Sequence, residues 1–203
     1  DLQGAINTTG VTKVFVAIGN YDVPLPNSFA MKKDVAIYGG FDPVNGIADL
    51  SHHRILPNEL PEGAGEGSVL NGQNTVTVVD NSALVLTSGA TAILDGFTIK
   101  NGYADYGGGI LNGTNLNDGM AVVFRNLVVK NNTATVNGGG IRSVAGIGNY
   151  TNVIVKNNTA AYGGGIYMAN SPNNSLTNVL VINNTATVQA GGVAVDGALL
   201  TNV

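Results

Sequence analysis

The 203-residue chain has no cysteine and no tryptophan, and only 11% of its residues are charged, against a usual quarter. The lack of cysteine excludes a disulfide framework, a thiolate metal site and a cysteine nucleophile. Basic residues are scarce: nine Lys and Arg face 13 Asp and Glu, for a net charge of −4. With no basic field to attract phosphate, a nucleic-acid partner is excluded. No apolar run reaches the roughly 18 residues that cross a bilayer, so no membrane insertion by this segment is expected. What is plentiful is glycine and asparagine. The chain holds 29 Gly and 27 Asn, over a quarter of its length, beside 44% hydrophobic residues. That is too apolar for a disordered linker, and it suits short strands and turns stacked in register.

Repeats are plain from about residue 93. The line DGFTIKNGYADYGGGI (95–110) is followed by RNLVVKNNTATVNGGGI (125–141), TNVIVKNNTAAYGGGI (151–166) and TNVLVINNTATVQAGGV (177–193), and a fifth copy opens at 201. A drifting period near 25 residues, with no helical spacing inside it, excludes the two-helix repeats. Leu127 and Val129 alternate with Val128 and Lys130, a period-two pattern that sends one set inward. A second strand follows each glycine triplet, and a third short strand is read at 121–124. Turns of this length predict an all-β, right-handed parallel β-helix rising about 4.8 Å per coil. The handedness comes from the general preference for right-handed crossovers.

Equivalent residues then form ladders. Phe97, Leu127, Val153 and Val179 make one apolar column, and Ile99, Val129, Val155 and Val181 make another. Asn101, Asn131, Asn157 and Asn183 make an unbroken structural column at the turn, where stacked amides can bond from coil to coil. Gly108, Gly139, Gly164 and Gly191 mark a tight bend.

The first 92 residues follow the same grammar less regularly, as an N-terminal cap and irregular coils ahead of the regular coils of 93–203. Leu2 and Ile6 share one face of a short helix that would cover the open end of the solenoid. Strands are predicted at 13–17, 34–41, 68–72, 75–79, 83–86 and 92–94, with a turn at 19–21. The Pro-, Gly- and charge-rich stretch 42–67 reads as an insertion loop. No linker separates the halves, so 1–203 is expected to form a single β-helix domain. The chain opens on Asp1 and Val203 falls inside a fresh repeat. This sets the expectation of a solenoid truncated at its C-terminal end, with self-association possible through the open coil.

The runs VFVAIGNY, SFAMKKDVAIYGGF and ILDGFTIKNG, with the repeated NNTA and GGGI lines, carry a resemblance to right-handed β-helix repeat proteins of bacterial cell surfaces. They are similar to polymorphic outer-membrane protein repeats, within the wider pectin-lyase-like superfamily. That repeat pairs a GGA[ILV]-type motif with an FxxN-type motif. Here GGGI stands at 107–110, 138–141 and 163–166. The second motif appears as VxxN or its aliphatic equivalents at 128–131, 154–157 and 180–183. The resemblance implies a secreted or cell-surface module acting as an adhesin, stalk or filament component. The superfamily also contains polysaccharide lyases and hydrolases, so the alternative is the scaffold of such an enzyme.

The residues themselves offer little chemistry. From residue 101 onward the acids are Asp105, Asp118 and Asp196, and they recur at no common offset, so no catalytic carboxylate pair is read. Lys100, Lys130 and Lys156 share one column, either a cationic stripe for an acidic glycan or a solvated strand face. Thr133, Thr159 and Thr185, with Thr135 and Thr187, resemble a two-column ice-binding array interrupted by Ala161. Tyr106, Tyr162, Tyr167 and Arg142 are the ligand-binding candidates, because exposed aromatic faces stack on sugar rings; ordinary packing between coils is the simpler reading. His52 and His53 lack a third ligand at metal spacing, so no metal site and no cofactor are expected. The partners left open are a glycan or another surface protein.

Overall fold

In the computed structural model, which describes residues 1–87, 89–113, 121–144, 147–170, 173–196 and 198–203, the chain winds as a parallel β-solenoid of about seven turns. Every pairing between its strands is parallel. Among the described residues, three sheets run along the coil axis, of ten, four and five strands.

The ten-stranded sheet has two legs. Its first leg is built from Lys13–Ala17, Ala36–Phe41, Thr91–Asp95 and the opening halves of Ala121–Lys130, Gly148–Lys156 and Ser175–Ile182, ending on Leu199–Thr201. Its second leg contains Gly19–Asp22, Ser68–Asn71, Phe97–Lys100 and the closing halves of the same long strands. The separate short strand expected at 121–124 is therefore one leg of a continuous strand. Asn126, Asn152 and Asn178 bend the legs apart in the left-handed region, at φ of 54°, 55° and 52°. Asparagine tolerates that conformation where most residues do not.

The irregular coils depart further from expectation. Gly19–Asp22 is a strand rather than a turn, because Ser68–Asn71 lies beside it and takes its hydrogen bonds. Of the strands expected at 75–79 and 83–86, only Val79–Asp80 forms. Val78 and Leu86 are nevertheless buried, so the apolar pattern there reports core packing without ladder pairing. The segment 42–67 leaves between the two legs of one coil and carries a short 3₁₀ turn, Pro43–Asn45, enclosed by an isolated antiparallel bridge between Asp42 and Ile47.

The interior is filled by the stacked columns. Phe97, Leu127, Ile99, Val129, Val155, Ile110, Ile141 and Ile166 are fully buried, and Phe124 stacks on Tyr150 with centroids 4.8 Å apart. Helix Leu2–Asn7, capped by the Asp1 carboxylate, buries Leu2 and Ile6 against the first coil. The glycine bend divides its labour. Gly138 takes φ of +70°, whereas a Cβ on Gly139 would sit 2.4 Å from the Thr159 carbonyl and 2.5 Å from that of Gly164. The first glycine supplies conformation and the second supplies space for adjacent coils.

Candidate functional site

The four-stranded sheet (Tyr103–Tyr106, Thr133–Asn137, Thr159–Tyr162, Thr185–Gln189) ends in the column Tyr106, Asn137, Tyr162 and Gln189. Beyond the glycine bend, the five-stranded sheet starts with Ile110–Asn112, Ile141–Val144, Ile166–Ala169 and Val193–Val195. Its isoleucines point inward, so the next residue faces out, giving the outward column Leu111, Arg142, Tyr167 and Ala194. The bend folds the two columns together. The Arg142 guanidinium lies 4.6 Å from the Tyr106 ring centroid, and its Nε donates to Asn137 Oδ1 at 2.7 Å. Tyr167 is one rung away. All four sequence candidates therefore share one corner, with Tyr106 44% and Tyr162 39% exposed.

Burial lowers the Arg142 pKa against the opposing pull of the Tyr106 and Tyr167 rings, yet a guanidinium remains charged at neutral pH. The corner thus offers aromatic faces, a planar cation and side-chain amides. Asp105, beside Tyr106, accepts a hydrogen bond from the Thr135 hydroxyl at 2.6 Å.

A second surface was not legible as a site. The insertion folds back over the second leg of the ten-stranded sheet and roofs a cleft of about 480 Å³. Its Glu66 reaches the lysine column, bonding Lys100 through one oxygen and Lys130 through the other at 2.5 Å. Burial pushes the Glu66 carboxyl up, but hydrogen bonds and charges from the two lysines outweigh it and hold its pKa below the ordinary value. The column is thus neither a bare cationic stripe nor a freely solvated face: two of its lysines share one carboxylate. Lys156 continues it without an ion pair among the described residues, and the next rung is Ile182. Leu60 and Pro61 of the insertion, together with Ile154, Asn157 and Glu62, also line the cleft.

Asp95 anchors the insertion, and its role was invisible in the repeat pattern. Its buried carboxylate meets Arg54 Nη2 at 2.9 Å and Arg125 Nε at 2.7 Å. The Arg54 guanidinium also donates to the Gly39 carbonyl and lies 5.4 Å from the Tyr38 ring centroid.

The remaining candidates occupy separate places. Asn101, Asn131, Asn157 and Asn183 adopt φ of 53° to 57° and form the second left-handed bend. An inward amide ladder, buried at Asn132 and Asn158, runs one residue later: Asn132 Nδ2 donates to Asn158 Oδ1, and Asn158 Nδ2 to Asn184 Oδ1, both at 3.0 Å. The displacement has a steric reason. At 131, 157 and 183 the left-handed residue turns its side chain to solvent and the next residue points inward, while Asn101 Nδ2 donates to Asn71 Oδ1 of the preceding coil at 2.9 Å. Thr133, Thr159 and Thr185 are in register, while Thr135 is tied to Asp105 and Ala161 breaks the second column. His52 pairs with Asp49 and His53 with Glu59, and among the described residues no three His, Cys, Asp or Glu could hold a metal ion. Asp118 lies outside the described residues. No helix among them is long and apolar enough to cross a membrane.

Residues 126–144 match the Chlamydia polymorphic membrane protein repeat. The matched segment runs from the Asn126 bend through the buried Asn132 and the glycine bend to the end of strand Ile141–Val144. No curated protein and no solved structure matches the chain.

Proposed function

We propose that the chain is part of a bacterial surface or outer-membrane protein and serves there as a rigid, non-catalytic binding module of the adhesin kind. The observation that carries this reading is the repeat match over residues 126–144. Register extends it: Leu127, Val128 and Val129 pair with Val153, Ile154 and Val155, and these with Val179, Leu180 and Val181. One matched repeat therefore implies equivalent coils on one side of it, all built on the same core. A core made of identical rungs leaves outward residues free to vary, which suits a display surface. The Tyr106, Tyr162, Tyr167 and Arg142 corner is its contact face, for a glycan or another surface protein.

The chemistry of the cleft speaks against Glu66 as the general acid of a glycoside hydrolase. Glu62 and Glu66 both line it, but Glu66 has both oxygens bound by lysines and a lowered pKa. A glycosidase acid needs the opposite, a carboxyl whose pKa is raised.

The test has two parts. Antibody against the chain should label intact source cells in flow cytometry, and labelling only after permeabilisation overturns surface display. Beads coated with the chain should adhere to uncharged glycans on an array, and the double variant Tyr106→Ser/Tyr162→Ser should lose most of that adhesion. Equal adhesion by the variant removes the corner as the contact face. Turnover of any polysaccharide would overturn the non-catalytic reading.

A further inference from the structure

The cleft under the insertion contains an unfinished pattern. Along the lysine column the carboxylate of Glu66 neutralises Lys100 and Lys130, using both of its oxygens. Lys156 stands next in register with Lys130 and faces the same cleft, with no anionic partner among the described residues. Beside it Asn131, Asn157 and Asn183 present side-chain amides at successive rungs. Each amide offers both a donor and an acceptor. The walls between these polar groups are apolar, from Val128, Ile154 and Ile182 on the sheet and Leu60 and Pro61 on the insertion.

We propose that this cleft binds an anionic saccharide sparsely charged along its length, with one carboxylate bonded to Lys156 as Glu66 is bonded to Lys100 and Lys130. Four observations favour this occupant. The volume of about 480 Å³ falls in the range of small-ligand sites, about 300 to 1,000 Å³. Amides repeating once per coil, about 4.8 Å apart, match hydroxyls repeating along a sugar chain, and the apolar walls meet the C–H faces of the rings. The charge is sparse: among the described residues one ammonium lacks an anionic partner, while Glu62 also lines the cleft, so a densely charged polyanion is disfavoured. An acidic peptide that binds by strand addition is disfavoured, because that mode needs an open strand edge. Here the strand carrying Lys156 is paired on both sides.

The site is distinct from the Tyr106 corner, and its test is separable from that reading. Isothermal titration of the whole chain with a hyaluronan hexasaccharide, which carries a carboxylate on every second sugar, should show binding. The carboxyl-reduced hexasaccharide should not bind. Lys156→Gln should weaken binding at least about tenfold, the worth of one charge-assisted hydrogen bond. Lys156→Arg should stay close to wild type, Glu62→Gln should bind more tightly, and Tyr106→Ser/Tyr162→Ser should bind unchanged. An unchanged urea midpoint for Lys156→Gln establishes that it is folded. The proposal is overturned if wild type does not bind hyaluronan, if Lys156→Gln binds as wild type does, or if an oligoglutamate peptide or a heparin hexasaccharide binds as tightly.

Discussion

Replacing Asn158 with alanine should cost this fold more than substituting any other described asparagine in the regular coils. The side chain is fully buried and makes four hydrogen bonds, each at 3.0 Å. Its Nδ2 donates to the Val129 carbonyl and to Asn184 Oδ1, and its Oδ1 accepts from the backbone N–H and the Nδ2 of Asn132. A hydrogen bond contributes about 0.5 to 1.5 kcal/mol net, and a buried group left without a partner costs about 1 to 3 kcal/mol. Four bonds would total about 2 to 6 kcal/mol. Asn132 Nδ2 keeps its bond to Ile99, but its backbone N–H is orphaned in the core. We therefore expect about 3 to 5 kcal/mol, a large share of the roughly 5 to 15 kcal/mol typical of a domain.

The neighbouring Asn157 provides the internal control. It sits at φ of 57° with its side chain exposed, so Asn157→Ala incurs only the left-handed backbone penalty, about 1 to 2 kcal/mol, and Asn157→Gly should be near neutral. Asn158→Asp should be worse than Asn158→Ala at neutral pH, because it aims an oxygen at the Val129 carbonyl and at Asn184 Oδ1. Urea unfolding followed by far-ultraviolet circular dichroism measures the series, provided the m-value is constant. Equal midpoints for Asn157→Ala and Asn158→Ala would refute the assignment of the ladder to the second asparagine of each pair.

Gly139→Ala should prevent folding or destabilise by more than about 4 kcal/mol, since both clashing atoms are backbone carbonyls of the next coil and cannot give way. Gly46→Ala, at φ of 85° with open space around it, should cost only about 1 to 2 kcal/mol in the same melt. The lowered pKa of Glu66 means that its contribution to stability is complete above the unfolded value of about 4.3 and is lost as pH falls through the folded value. The gap in urea midpoint between wild type and Glu66→Gln should accordingly be constant from about pH 5 to 8 and close in strong acid. A gap that widens on acidification refutes the clamp. Asp95→Asn leaves Arg54 and Arg125 short of their buried counter-charge and should cost about 3 to 5 kcal/mol. Arg54→Met should expose residues 43–66 to limited proteolysis while the regular coils stay resistant; uniform resistance would show that the insertion is held elsewhere.

The fold was legible because a solenoid repeats the same pattern coil after coil. Leu127, Val153 and Val179 align on the spacing of the repeat alone, and register pairs them directly. Which asparagine points inward was harder to read, because the regular coils place two side by side, at 131–132, 157–158 and 183–184. The coil before them resolves the ambiguity. It has Asn101 followed by Gly102, and a Cβ at Gly102 would lie 1.8 Å from the Gly108 carbonyl. Asn101 must therefore be the bend, at φ of 55°, and Gly102 occupies the inward position, its N–H donating to Asn132 Oδ1. The sequence thus contained the phase of the ladder in the one coil where the pair is broken.

The candidate sites divide along the same physical line. The Tyr106, Tyr162, Tyr167 and Arg142 corner could be assembled from spacing alone, because its members lie on the periodic coils and the glycine bend recurs between them. The cleft could not. Glu66 is 34 residues from Lys100, and it lies in the segment that breaks the period, so no column predicts where its carboxylate falls. Asp95 escaped for the related reason that its partner Arg54 is also in the insertion, 41 residues away. Periodicity reports only interactions that every coil makes, whereas a binding site needs one coil to differ from the next. In this chain that difference is supplied by residues 42–67, which turn three equivalent lysines into two clamped by Glu66 and one without a carboxylate among the described residues.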